Sequence, residues 1–253
     1  MNAIKKSLFV TLIILFLPIL SSIGSVFMDP GVPDGEQIVW RWTNEEKGQI
    51  LSIVTWNVKD RSGKPVYDID LNSGARKQAQ YVIDKSDLRL VYTKVSEDFE
   101  DGRYNLTIDM KDGCQYLVDD FKGKRKTKDI ENHEDGYNGI ILPFSLRGFP
   151  FGKKKEVEIH ITPPFKPNVP MWAWKMWKAY TKYLGEEKVT VPAGTFDCYK
   201  LELGASGGLI KHFTTEYYFW FESKPPYRFV KYQDKDGKNI TELMEIRSKG
   251  RSQ

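Results

Sequence analysis

The chain predicts an all-β protein built of antiparallel strands. Apolar and polar residues alternate with a period of two in run after run, and those runs are rich in β-branched and aromatic side chains. Short Gly/Asp-rich turn signals separate them, while long helical periodicity is scarce. About a dozen strands are expected at intervals of roughly ten to fifteen residues, with one face dry and one wet.

The chain opens with Lys5 and Lys6, then an apolar run from Leu8 to Leu20, then Ser21, Ser22, Gly24 and Ser25, the three parts of a secretory signal. The run is shorter than the roughly 20 residues of a spanning helix, and Pro18 interrupts it. Residues 1–25 are therefore expected to act as a signal peptide; the alternative is an uncleaved N-terminal anchor. No Cys follows the run, so lipidation there is excluded. Residues 26–253 are expected to be exported beyond the inner membrane to a periplasmic location, with membrane contact at most peripheral.

In "IVWRW", Ile38, Trp40 and Trp42 share a face opposite Arg41. "RYNLTIDM" sets Tyr104, Leu106, Ile108 and Met110 against Arg103, Asn105, Thr107 and Asp109. "EVEIHI" points Val157, Ile159 and Ile161 inward and Glu156, Glu158 and His160 outward, and "FTTEYYFWF" groups Phe213, Tyr217, Phe219 and Phe221. Turns are expected at residues 59–64, 84–87, 100–102, 111–113 and 235–238. "FKGKRKTKDIENHEDGYNG", residues 121–139, passes from a basic run to an acidic one and reads as a solvated loop. "TPPFKPNVP", residues 162–170, has four prolines and reads as an extended crossing. No repeat or linker divides the chain, so a single domain is expected.

Removing residues 1–25 takes away two lysines, so the 38 basic and 34 acidic residues become 36 and 34. That near-neutral balance gives no support to nucleic-acid binding. Cys114 and Cys198 are disulfide candidates in an oxidising compartment; the other reading is two separate thiols acting as small hydrophobes.

Chemistry-bearing motifs are sparse. The histidines are His133, His160 and His212, and no two stand at the close spacing of a zinc ligand pair. "DIENHEDG" matches no calcium loop, "GASGG" (204–208) lacks the helix of a phosphate cradle, and no nucleophile elbow is present. No catalytic residue, metal site or cofactor is expected, and the protein reads as a non-enzyme.

The second half, with "LPFSLRGFPFGKKKEVEIHI", "GEEKVTVPAGTFDCYKLEL" and "YYFWFESKPPYRFVKYQDKDGKNITELMEI", resembles an uncharacterised family of exported bacterial proteins, domain of unknown function 3108. "QAQYVIDKSDLRLV" in the first half resembles one of its hairpins, and the likeness covers about residues 36–246. The resemblance implies a curved antiparallel sheet, a half-barrel or open barrel with few short helices, distantly similar to periplasmic lipoprotein carriers. It implies an apolar concavity and no established activity.

"VPMWAWKMWKAY" places three tryptophans within six residues. Continued as a strand, Trp172, Trp174, Met176 and Tyr180 share one face, while Met171, Ala173, Trp177 and Ala179 share the other. Phe149 and Phe151 of the adjacent "RGFPFG" loop would join them. This cluster reads as core, as a pocket for an acyl chain, or as an aromatic platform for a glycan or protein. The expected function is noncatalytic binding or carriage of a lipid-like envelope component by Phe149, Phe151, Trp172, Trp174, Met176, Trp177 and Tyr180. The alternative is an assembly factor that binds another envelope protein or a glycan.

Overall fold

The computed structural model describes residues 25–164, 170–206 and 216–247. The apolar leader, most of the proline-rich crossing, His212, Phe213 and the end of "GASGG" lie outside the described residues, and so does the side chain of Met171. Among the described residues no helix is long and apolar enough to cross a membrane.

Among the described residues, fifteen strands form one sheet. They are β1 (Glu36–Asn44), β2 (Gly48–Arg61), β3 (Lys64–Asn72), β4 (Lys77–Asp84), β5 (Leu90–Phe99), β6 (Gly102–Lys111), β7 (Cys114–Phe121) and β8 (Lys124–Glu131), then β9 (Gly136–Asn138), β10 (Glu156–Thr162), β11 (Trp177–Val191), β12 (Gly194–Ala205), β13 (Tyr217–Glu222), β14 (Phe229–Asp234) and β15 (Asn239–Arg247). The first eight run as a meander from β8 back to β1, β15 joins β1, and the order continues down to β9. The sheet stays open, with β8 and β9 as its edges. The turns at Ser62–Gly63, Asp112–Gly113 and Lys122–Gly123 have positive φ at both central residues, which matches the strand twist in two-residue hairpins.

Residues 121–139 correct one expectation. Most of that charged stretch is not a loop but β8 and β9. The sequence "KRKTKDIE" pairs with β7 all along, from Phe121↔Lys124 to Cys114↔Glu131, and its basic side chains dress an edge strand against pairing with other chains. At one end of the seam a buried amide chain bridges the two edges. Asn138 Nδ2 of β9 donates to Gln115 Oε1 of β7 at 2.9 Å, and Gln115 Nε2 donates to Asn132 Oδ1 at 3.2 Å.

Among the described residues, the strands pair antiparallel throughout except for β9 and β10. Parallel neighbours need a long crossover, and this one, residues 139–155, passes through the interior. It carries α1 (Leu142–Ser145) and a 3-10 turn (Leu146–Gly148), and residues 144–150 are buried throughout. Phe144 lies against Trp40, Trp56 and Tyr81 of β1, β2 and β4 at ring separations of 5.7, 5.5 and 5.3 Å. Phe151 reaches Tyr199 and Phe221 of β12 and β13. The crossover is thus a plug that links the two wings of the sheet. A Cβ on Gly148 would lie 2.3 Å from Met28 O, so only glycine lets the N-terminal segment cross it, where Met28 N–H donates to Gly148 O.

Cys114 and Cys198 are free thiols, which corrects the disulfide expectation. They stand on β7 and β12, second and twelfth in the strand order, so no shared hairpin or neighbouring strand brings them together. Burial pushes the Cys198 thiol up to about 12, so it behaves as a small hydrophobe.

The inward face of β7 holds Gln115, Leu117 and Asp119, all buried. Neither carboxylate oxygen of Asp119 has a hydrogen-bond partner among the described residues. Burial raises its pKa, and Lys126, directly across on β8, opposes that shift. For an acid whose folded pKa is raised, ionisation destabilises the fold. The penalty is absent below the unfolded pKa of about 3.9 and complete above the folded one. Asp119→Asn is therefore expected to stabilise the protein at pH 7 by on the order of 1 kcal/mol and to change little below pH ~3.5. Urea unfolding at the two pH values checks this; an equal gain at both would assign the effect to packing.

Candidate functional site

The "WAWKMW" segment does not form the strand face expected of it. Met171–Ala173 make a 3-10 turn and β11 begins only at Trp177. Proline-rich chain on the N-terminal side and the turn itself break the two-residue period, so the tryptophans part company. Trp174 is fully buried, whereas Trp172 is 72% exposed. Trp177 is half-buried and donates its indole N–H to Ala173 O at 3.2 Å. Tyr180 donates to Glu202 Oε1 at 2.9 Å, and Met176 packs against the edge of the core. The residues expected to line one wall therefore divide between core, surface and strand edge.

Of the expected set, Phe149 and Phe151 do come together, with rings 5.1 Å apart. Phe149 is buried, and Phe151 is half-exposed at the exit of the plug. There Phe151 stacks on Tyr199 at 4.5 Å, packs on Tyr227 at 5.1 Å, and approaches Tyr183 at 6.2 Å. Tyr183 and Tyr199 meet edge to face at 5.5 Å. β11 and β12 supply these two tyrosines, and the turn after β13 supplies Tyr227. All three are half-exposed, and burial raises the pKa of Tyr183 and Tyr199, so their hydroxyls stay protonated at neutral pH.

Beside this aromatic mouth lies a cavity of about 240 Å³, bounded by Met28, Arg147, Phe149, Phe151, Lys153 and Tyr227 among others. Its charged lining is mostly spoken for. Arg147 pairs with Glu36 at 2.7 Å, and Asp29 accepts hydrogen bonds from Tyr67 Oη and from Gly31 N–H. Exposed Lys153 is part of its lining, the exposed Lys154 and Lys155 follow it in the chain, and none of the three forms an ion pair within the described residues.

Sequence reasoning missed Tyr183, Tyr199 and Tyr227, because nothing local relates β11, β12 and the turn "KPPY" to "RGFPFG". The one available signal was the period: Tyr183 falls in step with buried Ala179 and Thr181, and Tyr199 with buried Leu201 and Leu203. Sequence reasoning also separated His133 from His160, whose rings lie 4.0 Å apart across the β9–β10 pairing.

With this geometry established, the comparisons fix the chain's family. It belongs to the protein family of unknown function DUF3108, whose model matches residues 37–244. No curated protein matches it. Among solved structures, a β-barrel-like protein of domain of unknown function DUF1849 from Brucella abortus is similar at 7% identity and a TM-score of 0.49, covering 85% of this chain and 96% of its own. A protein with a YmcC-like fold from Bacteroides fragilis is similar at 11% identity and a TM-score of 0.32, covering 88% of this chain and all of its own. At such identities only the chain's own residues speak to its function.

Proposed function

We propose that this is an exported, noncatalytic envelope protein that binds one end of an anionic amphiphile, with the apolar part at Phe151, Tyr183, Tyr199 and Tyr227 and the charge at Lys153–Lys155. The carrying observation is a cluster of four half-exposed rings open beside a cavity. A closed core would have buried them, as it buries Phe144 and Trp174. Lys153 lines the cavity and exposed Lys154 and Lys155 follow it in the chain, so an anionic head would meet positive charge there while the tail leaves water. A volume of about 240 Å³ falls short of the roughly 300–1,000 Å³ of a pocket for a whole drug-sized ligand. It suits a short length of chain, with the rest lying along the mouth. The N-terminal lysines, apolar run and small residues support the export part of the reading. The noncatalytic reading draws support from the cavity lining, whose single carboxylate, Asp29, is held by Tyr67 and Gly31.

The test is displacement of cis-parinaric acid by palmitate and by hexadecan-1-ol. Palmitate is expected to bind, at least tenfold more weakly after Tyr199→Ala or Tyr183→Ala. Reversing Lys153, Lys154 and Lys155 to Glu is expected to weaken palmitate and spare the alcohol. No displacement by either amphiphile, or equal displacement in the tyrosine variants, would sink the proposal.

A further inference from the structure

At the other end of β10 from Lys155, three groups from two separate segments of the sequence converge. His133 and Asp135 lie in the turn between β8 and β9, and His160 lies on β10. The two imidazoles stack at 4.0 Å with planes only 6° apart. His160 Nδ1 lies 2.8 and 3.0 Å from the two carboxylate oxygens of Asp135. One donor atom from each residue falls within 4.8 Å of the other two. We propose that His133, Asp135 and His160 form a binding site for a divalent transition-metal ion of the zinc–copper class.

The turn is held by more than its own side chains. His160 pairs with Gly136 in the parallel ladder, and its N–H donates to Asp135 O. Gly136 N–H donates to His133 O, and His133 N–H points at Met176 Sδ at 3.4 Å. A Cβ on Gly136 would lie 2.5 Å from Asn132 Oδ1 and 2.8 Å from both His133 O and Met176 Cε, so the turn is packed on Met176 with no slack. The backbone therefore fixes where the three donors start, and only side-chain rotation remains.

The donor set selects the ion. Two imidazoles and one carboxylate favour zinc, copper or nickel over hard cations, and a single carboxylate falls far short of the six to eight oxygens that calcium takes. Tetrahedral bonds of about 2.0 Å put donor atoms roughly 3.3 Å apart. The stacked rings must fan open by a small rotation to reach that spacing, and His133, which is exposed, has solvent on one side to turn into. The imidazoles bind through ring nitrogens that carry no proton, and water fills the remaining positions. Asp135 also supplies negative charge against the ion.

The experiment is calorimetric titration of the tag-free full chain with ZnCl2, CuSO4 and CaCl2. Zinc and copper are each expected to bind at one ion per chain. His133→Ala, His160→Ala and Asp135→Asn should each weaken binding at least tenfold, and His212→Ala should leave it unchanged. The exposed His133 makes its variant decisive even if another misfolds. Zinc and copper binding that survives His133→Ala, that His212→Ala removes, or that calcium matches would overturn the site, and so would no binding at all. The amphiphile proposal involves none of these residues and stands or falls separately.

Discussion

Arg147→Ala is expected to destabilise the protein by about 3–5 kcal/mol, because it strands a buried carboxylate. Arg147 is 1% exposed and sits at the plug's 3-10 turn. Its Nη1 pairs with Glu36 Oε1 at 2.7 Å, and its Nε and Nη2 both donate to Pro226 O, at 3.2 and 3.0 Å. The guanidinium also lies over the Trp56 ring at 4.7 Å. With it gone, Glu36 keeps only Arg228, whose Nε is 3.3 Å from Oε2 but makes no aligned hydrogen bond there. Arg228 is moreover engaged by Glu222 at 2.8 Å. Lysine cannot reproduce the fork, so Arg147→Lys is expected to recover only part of the loss. The double change Arg147→Met with Glu36→Met removes both charges and is expected to cost less than Arg147→Ala alone. Denaturant unfolding of the three variants settles it: a loss under about 1 kcal/mol in Arg147→Ala would mean the pair contributes little beyond its own desolvation.

Phe144→Ala is expected to cost about 3–5 kcal/mol, the range for emptying a buried aromatic site. Phe144 ties the plug to the first wing of the sheet, touching Trp40, Trp56 and Tyr81. Those partners sit on three different strands that cannot collapse together without breaking the register of the sheet. Urea unfolding measures the loss, and near-UV circular dichroism should report the altered surroundings of Trp40 and Trp56. Phe144→Leu retains much of the volume and is expected to cost less. If Phe144→Ala cost under about 1 kcal/mol and the variant bound a hydrophobic dye, the crossover would be a displaceable lid, and the interior itself would become the binding space.

The two variants probe the same fact from its polar and apolar sides: the apolar concavity implied by family resemblance is occupied by the chain itself. What remains open is its rim. That moves the candidate site from the tryptophan segment to Phe151 and three tyrosines, and it explains why the aromatic content was a poor guide. Much of it serves as core, since Trp40, Trp56, Trp174 and Trp220 are all buried.

Local pattern was enough to determine most of the strands and the faces they bury. The alternation at Tyr104, Leu106 and Ile108, or at Val157 and Ile159, survives intact because a strand's face is a local property of period two. Hairpin turns were equally legible, since positive φ at sites such as Gly113 is a demand on the residue itself. Strand β8 was hidden because charge is no bar to an edge strand, and edge pairing depends on a partner the local pattern does not name. The folded chain was needed to show that residues 139–155 fill the sheet, that Arg147 meets Glu36, that Phe151 meets Tyr199, and that His133 meets His160. Each of these pairs joins positions far apart in the chain, and the crossover between two parallel strands brings them together. Its path is set by burial summed over the whole sheet, a quantity no short stretch of sequence carries.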